Sequence, residues 1–334
     1  MKAIVLTAAG GPEKLQLADC PEPRIARDDQ VLVRLRAAGV NPIDGKIRQS
    51  PQRFPVAGER PILGCDGAGV VEAVGSAVKG FAVGDEVYFC QCGFNGRQGC
   101  YAEYAVVEAA LLALKPSSLD FHQAAAAPLV TITAWEALFG RAALKAGQTV
   151  LIHGGAGGVG HMAVQLAKAV GATVAVTVSS EDKAAFAKSL GADHVIRYRE
   201  QDFVAATLAW TAGEGVDVML DTVGGDTLAR SFAAVKVYGD LVSILGAPAG
   251  LDLSLARKRN IRFSQELMLT PVMLELDCAK AFQGDILRQA AAWFEQGKLR
   301  VAVAASLPLA EAAEAHRRLE QDHPMGKLVL SIGE

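Results

Sequence analysis

The chain has 334 residues, 51% of them hydrophobic, with 33 Lys and Arg against 36 Asp and Glu and a net charge of −3. That balance excludes an intrinsically disordered chain and offers no basic footprint for nucleic acid or an anionic membrane surface, so small molecules are the expected partners. At ~100 to 200 residues per domain the length implies two domains.

No apolar run reaches the ~18 residues of a membrane span. The segment Met1–Leu6 gives way to turn residues too early for a secretory signal, and a cytoplasmic setting is expected. Cys20, Cys65, Cys90, Cys92, Cys100 and Cys278 form no small-domain disulfide framework and read as reduced thiols.

From Met1 to about Ala124, short extended runs alternate with glycine and proline. Ala3–Leu6, Leu15–Leu17, Val31–Ala37, Gly69–Val74 and Glu86–Phe89 read as strands, punctuated by Gly10-Gly11-Pro12, Pro21-Glu22-Pro23, Asn41-Pro42 and Val83-Gly84-Asp85. A mostly β, partly open barrel is expected here. Near Phe121 the texture changes, because Gln123–Ala127 and Ala134–Leu138 favour helix.

Strands and helices then alternate: Thr149–Ile152, a helix to Val170, Thr173–Val178, a helix over Glu181–Leu190, His194–Ile196, a helix around Phe203–Trp210, Val216–Leu220, a helix over Thr227–Ala234, and Gly239–Leu245. Such alternation predicts right-handed crossovers and a parallel sheet covered on both faces, with a ligand at the carboxyl ends of its strands. After Ser264 come a helix (Asp285–Glu295), an extended Val301–Ala304, a helix (Leu309–Glu320) and a strand (Lys327–Ile332). This tail is expected to return to the first domain and leave a cleft between the two.

The stretch from His153 to Gly160 joins a strand to a helix, and Gly155, Gly157 and Gly160 satisfy G-x-G-x-x-G. Each glycine has a physical task in a dinucleotide site: a tight turn, a bare backbone that a pyrophosphate can approach, and close packing of helix on strand. Gly158, Val159 and Gly160 open the helix, where N–H groups without intrahelical partners suit a phosphate.

These motifs in this order resemble the medium-chain dehydrogenase/reductase superfamily, specifically its zinc-independent quinone oxidoreductase branch. The matching segments are Ala38–Asp44 with Arg48, Leu63–Gly69, Val83–Val87, Ala102–Tyr104, Pro128–Trp135, the glycine turn, Gly215–Asp217 to Asp221–Gly225, and Gly326–Val329, covering essentially the whole chain. The resemblance implies an α/β protein. Residues 1–124 and 266–334 form a GroES-like, mostly β substrate domain, and residues 125–265 form a Rossmann doubly wound parallel-sheet domain. Where zinc-dependent relatives carry Cys, His and Cys ligands this chain has Asn41, Cys65 and Leu129, so no metal is expected, since catalytic zinc needs three protein ligands. Cys90, Cys92 and Cys100 fall near a four-cysteine structural lobe of zinc relatives, but with C-x-C spacing and no fourth ligand they read as loop cysteines.

An NAD-preferring fold usually ends its second strand in Asp or Glu, whereas this one ends in Ser179 and Ser180, with Lys183 three residues on. That favours NADPH. The resemblance adds Tyr198 and Arg199 to the phosphate pocket and Thr131 to a cofactor contact, and Leu245 and Gly246 are assigned to the cofactor site with them. The alternatives are a solvated Lys183 and a surface Arg199, with Glu181 serving a ribose. For catalysis the resemblance places the loop after Asn41 at the nicotinamide end of the cleft. Asn41 is then a hydrogen-bond donor, and Lys46 a proton donor or else a solvated surface charge. Asp44 and Arg48, four apart, read as a helical ion pair. Asp66 and His153 read as structural, and Asp221 as fixing a loop.

The expected function is NADPH-dependent hydride transfer to a quinone or α,β-unsaturated carbonyl. A non-catalytic NADPH-binding protein and a zinc-dependent alcohol dehydrogenase are the alternatives. An unpaired strand edge formed by Gly239–Gly246 and Ile261–Ser264 predicts a homodimer.

Overall fold

A computed structural model describes every residue except Ala57, Glu59 and Glu334. The chain divides into two compact units, Met1–Leu129 with Leu269–Glu334, and Val130–Met268. The first opens with β1 (Lys2–Leu6) and β2 (Leu15–Asp19), then β3 (Gln30–Val40), α1 (Pro42–Gln49), β4 (Asp66–Val74), β5 (Glu86–Cys90), β6 (Tyr104–Glu108), β7 (Leu112–Leu114) and α2 (Phe121–Ala126). Then α3 (Pro128–Trp135) carries the chain into the second unit. There β8 (Thr149–Ile152), α4 (Gly158–Ala169), β9 (Thr173–Val178), α5 (Glu181–Ser189), β10 (His194–Arg197), α6 (Phe203–Trp210), β11 (Val216–Asp221), α7 (Gly225–Ser231), β12 (Val235–Ser243), α8 (Ser254–Lys258) and β13 (Arg262–Gln265) follow. The chain re-enters the first unit through α9 (Thr270–Met273), α10 (Asp277–Glu295), β14 (Val303–Pro308), α11 (Ala312–Gln321) and β15 (Lys327–Ser331).

The spine of the first unit is β3. Along one edge it pairs with β4, and along the other with β6 at Gln30–Arg34 and with the return strand β15 at Ala37–Val40. Val31, Val33, Leu35 and Ala37 alternate inward, as period-two patterning requires of a sheet with one buried face. The segment after Asn41, expected as a loop, is the helix α1. Its signals were in the sequence: Asn41 at the N-cap, Pro42 at the first helical position, and Asp44, whose Oδ2 accepts the Asn41 N–H at 2.9 Å.

The second unit holds a six-stranded sheet in the order β10-β9-β8-β11-β12-β13, every pair parallel. The order reverses between β8 and β11, which is the switch point of a doubly wound fold. Val150–Ile152 and Val218–Leu220 are buried, as strands covered on both faces must be. The run Gly239–Gly246 does not close this sheet. Instead β13 adds a sixth strand outside β12, pairing Asp240 with Arg262 through Ser243 with Gln265, and Phe263 packs edge-on against Phe232. No helix among the described residues is long and apolar enough to cross a membrane.

The reading of six reduced thiols needs correction, because Cys65 and Cys92 are joined as a disulfide and Cys20, Cys90, Cys100 and Cys278 are free. Of the three read as loop cysteines, Cys90 instead closes β5, while Cys92 and Cys100 lie outside helix and strand. All are buried beside the start of β4, where the Cys100 thiol donates to the Cys65 carbonyl at 3.7 Å. Sequence spacing carried no signal for this, since β4 and β5 bring the cysteines together only by pairing Asp66 with Cys90.

A second buried cluster, within the first unit, fastens α10 to β6. Glu108, at the end of β6, accepts from Lys280 at 2.7 Å and from Arg97 Nε at 2.9 Å, and Arg27 lies 3.1 Å away. Burial pushes the Glu108 carboxyl up, but these cations hold it, on balance, below the usual carboxylate range. The contribution is therefore present at neutral pH and lost as pH falls through that depressed value. Glu108→Ala is expected to cost roughly 3 kcal/mol by urea unfolding at pH 7, because it leaves Lys280 and Arg97 buried without their shared carboxylate. A loss under about 1 kcal/mol would show that Glu275 and Asp277, which also reach Lys280, replace it.

Candidate cofactor and substrate site

Between β8 and α4 the chain turns through His153–Gly157 in a space that excludes side chains. Gly154 has φ +65°. A Cβ on Gly155 would stand 2.6 Å from Val176, and one on Gly160 would stand 2.1 Å from the Gly154 carbonyl oxygen. Gly157 caps α4 in an extended conformation with no side chain over the helix end. The first-turn N–H groups at Gly158, Val159 and Gly160 lack intrahelical acceptors and sit at the positive dipole end. A bare, concave, donor-lined backbone of this kind fits the pyrophosphate of a dinucleotide. His153, just before it, is packed rather than poised. Its ring bridges the Thr177 and Ser231 hydroxyls at 3.0 Å each, and burial pushes its pKa down to about 4, so it is neutral at pH 7.

The other assigned cofactor residues in this unit lie mostly at the carboxyl ends of the same strands. Ser179 and Ser180 follow β9, and the Ser180 hydroxyl caps α5 by accepting the Lys183 N–H at 3.4 Å. The Tyr198 N–H donates to the Val178 carbonyl at 3.1 Å, which draws the end of β10 against the end of β9 and brings exposed Tyr198 and Arg199 to that corner. Sequence reading missed Arg197 there. Its guanidinium pairs with Glu181 at 3.1 Å and with Glu200 at 2.8 Å, an arrangement that no local spacing announces because it depends on two neighbouring strands.

At the end of β11, Asp221 Oδ1 accepts the Val223 and Gly224 N–H groups at 3.0 and 2.9 Å, and Oδ2 accepts the Ser243 hydroxyl at 2.7 Å. This fastens the loop. Ser243 in turn accepts the Leu245 N–H at 3.2 Å, leaving Leu245 half-buried beside Gly224, with Gly246 exposed. Thr131, in α3, is fully buried, and its hydroxyl has no hydrogen-bond partner among the described residues. Such an orphan is costly unless something fills it.

In the first unit, Asn41 and Lys46 are separated by environment. Lys46 is exposed on α1, whereas Asn41 is fully buried and its amide is held at both ends. Asn41 Nδ2 donates to Asp66 at 2.9 Å, and Lys327 donates to Asn41 Oδ1 and to the Val40 carbonyl, the latter at 2.8 Å. Asp66 also accepts the Leu129 N–H at 2.8 Å and faces Lys327 at 3.8 Å. Burial raises the Asp66 carboxyl and lowers the Lys327 ammonium, each opposed by the other's charge.

Asp44 and Arg48 do not form the expected ion pair. Both point inward to different partners, since tertiary burial offers each a better one than the neighbour along the helix. Arg48 donates to the Gly10 carbonyl at 3.0 Å, to Glu320 at 2.8 Å and to His316 Nδ1 at 3.0 Å. With Nδ1 accepting, His316 carries its proton on Nε2, 3.2 Å from the Tyr101 hydroxyl, which donates to Asp44 at 2.9 Å. Burial and then the Arg48 charge push His316 down to about 3, which keeps this chain in one direction. Burial pushes Asp44 up to about 7, and its Oδ1 is left without a partner.

The family model for the alcohol dehydrogenase GroES-like domain matches residues 27–117, and that for a zinc-binding dehydrogenase matches residues 190–330. A quinone oxidoreductase of Pseudomonas aeruginosa is 35% identical, covering 98% of this chain and 99% of the relative. A chloroplastic NADPH-dependent alkenal/one oxidoreductase of Arabidopsis thaliana is 34% identical over 99% of this chain and 79% of its own length. Among solved structures, that of the Escherichia coli quinone oxidoreductase complexed with NADPH superposes with a TM-score of 0.87 at 30% identity, covering 99% of this chain and all of that one.

The raised Asp44 carboxyl makes a prediction about stability. Its folded pKa of about 7 lies above the ordinary 3.8, so the unfolded chain releases this proton first, and Asp44 erodes stability as pH rises from 3.8 through about 7. Asp44→Asn keeps an acceptor for Tyr101 and the Asn41 N–H and removes the titration. The variant's denaturant midpoint should therefore gain on wild type between pH 4 and pH 8. A constant difference across that range would show that Asp44 does not carry the raised pKa.

Proposed function

The chain belongs to the medium-chain dehydrogenase/reductase superfamily, in its quinone oxidoreductase branch, and on that premise we propose that it is an NADPH-dependent oxidoreductase reducing a quinone or an α,β-unsaturated carbonyl without catalytic metal. The observation that carries this reading is the glycine cradle at Gly155, Gly157 and Gly160 beside a second strand that is followed by Ser179 and Ser180 in place of a carboxylate. The named relatives that act on quinones and alkenals, and the neighbour holding NADPH, support it.

When bound, the cofactor supplies a hydride. The N–H groups of Gly158, Val159 and Gly160 would hold its pyrophosphate, and the orphaned Thr131 hydroxyl would meet a polar group of the cofactor. Leu245 and Gly246 would lie beside it, and Lys183, Tyr198 and Arg199 would hold the 2′-phosphate. A quinone or enone accepts hydride at carbon and gathers charge on its carbonyl oxygen, so the protein chiefly orients the acceptor and stabilises that oxygen. Asn41, its amide pinned by Asp66 and Lys327, is a preorganised donor for this task, and Lys46 is the proton donor.

The match to a zinc-binding dehydrogenase model raises a second reading. The donor set argues against it. The Asn41 oxygen is taken by Lys327, Cys65 is bonded to Cys92, and Leu129 offers no ligand. Among the described residues no three His, Cys, Asp or Glu side chains converge to hold a metal ion.

Following NADPH absorbance with a panel of quinones, enones and enals, before and after chelation, tests the reading. Turnover that survives chelation supports it, whereas turnover of none, or activity restored only by zinc, overturns it. Lys183→Ala should weaken NADPH binding about ten- to a hundredfold and leave NADH binding nearly unchanged, as the loss of one charge-assisted contact implies. Equal losses would place the effect elsewhere.

Among the described residues the outer edge of β13 has no strand partner, and we infer that it meets the same edge of a second copy about a two-fold axis. Light scattering across a dilution series should give twice 35.0 kDa, and that single mass throughout would refute the dimer.

A further inference from the structure

We propose that His153 is a positioning residue for the dinucleotide: its ring fixes the first peptide of the glycine turn and so sets where the N–H groups of α4 begin, a role that rests on the cofactor reading above. His153 stands at the junction of β8 and the turn, is 1% exposed, and meets the Phe203 ring edge-on at 4.8 Å. The hydrogen bonds leave one place for its proton. The Ser231 hydroxyl donates to the Thr227 carbonyl at 2.7 Å, so towards the ring it accepts, and neutral His153 carries its proton on Nε2. Nδ1 is then bare and accepts the Thr177 hydroxyl at 3.0 Å. With its own proton committed to the ring, Thr177 Oγ1 turns a lone pair to the Gly154 N–H, 3.2 Å away.

This directed chain runs from α7 through the imidazole to β9 and ends on the turn. Thr177 grips the turn twice, because its carbonyl also accepts the Gly155 N–H at 3.1 Å. From the other side the Thr222 hydroxyl donates to the His153 carbonyl at 2.7 Å. The peptide joining His153 to Gly154 is therefore held at both its oxygen and its nitrogen. Its orientation passes forward along the backbone, since the Gly154 carbonyl accepts the N–H of Gly157, the N-cap of α4, at 2.9 Å and lies where a Cβ on Gly160 would overlap it. Rotating that peptide would move the start of the helix and the N–H groups of Gly158, Val159 and Gly160 with it. Both ring nitrogens are occupied by this chain, so His153 acts through the turn and not as a base. Every member lies within Val130–Met268, and the device is complete in that unit.

The test is the affinity for NADPH and for NADH, measured by titration calorimetry on wild type, His153→Phe, Thr177→Val, Thr177→Ser and the double variant of the first two, with thermal melts to establish folding. The two cofactors share the pyrophosphate, so His153→Phe and Thr177→Val should each weaken both by one factor, about three- to tenfold for a single buried hydrogen bond. The double variant should lose no more than the larger single loss, because both changes cut the same chain. Thr177→Ser, which keeps the hydroxyl, should bind as wild type does. Proton–nitrogen correlation NMR should show His153 with Nε2 protonated and Nδ1 bare. A role in stability alone would lower the melting temperature and leave both dissociation constants unchanged, and that result would overturn the proposal, as would the reverse tautomer or fully additive losses. Should His153→Phe fail to fold, the near-isosteric Thr177→Val decides, and full affinity there overturns it. Loss of NADPH binding alone would place the effect at the 2′-phosphate, overturning the proposal and leaving the NADPH reading intact. A wild-type protein that binds neither dinucleotide would overturn both.

Discussion

Much of the first unit depends on one buried ammonium. Lys327 sits at the start of β15, the strand by which the chain returns to its first sheet, and it is 3% exposed. Taking a charge out of water costs several kcal/mol unless other groups replace the hydration. Asp66, the Asn41 amide oxygen and the Val40 carbonyl do so together. These partners come from β3, β4 and the cap of α1, so one charge ties the return strand to the spine, to its neighbour and to the helix that follows. Asn41 gains a fixed amide orientation from the same arrangement, which links the packing of the return strand to a residue of the candidate site.

The second unit is governed by sterics rather than charge. Its turn is built where a Cβ at Gly155 or Gly160 would overlap Val176 or the Gly154 carbonyl, so the helix can approach the strand end only because those side chains are missing. The same bareness leaves the first helical turn without a side chain over its N–H groups, the backbone at which we propose the pyrophosphate is held. Around this cradle, Asp221 and Ser243 hold the adjoining strand ends by hydrogen bonds to backbone and hydroxyl groups, which keeps that edge of the sheet ordered.

Two buried polar systems differ in how completely they are satisfied. The chain from Arg48 through His316 and Tyr101 to Asp44 has a defined direction because each group has one role open to it, yet it ends on a carboxylate oxygen with no partner. Full satisfaction stabilises such a network, and an orphan weakens it. Thr131 presents a second orphan, in the other unit, at a position assigned to the cofactor. The two have different settings: the Asp44 orphan accompanies a raised pKa, whereas the Thr131 orphan is the one we propose a cofactor fills.

By itself the sequence determined the periodicities and the glycine spacing. These are local, and the alternation from Thr149 to Leu245 and the strand-turn-helix at Gly155 to Gly160 correspond to β8 through β12 and to the turn into α4. Periodicity also announces β3, whereas Asn41-Pro42 serves equally as loop punctuation and as the cap of α1, and only burial of the residues after it decides for the helix. Only the tertiary structure decided which distant groups meet. Asp44 and Arg48 are helical neighbours in sequence, but burial gave Arg48 to Glu320 and His316, some 270 residues away. Cys65 and Cys92 were joined by the pairing of β4 with β5, and Arg197 was set beside Glu181 by the register of β10 on β9. A one-dimensional pattern reports which face a residue is on. It carries no record of the partner that desolvation and strand pairing will bring to that face.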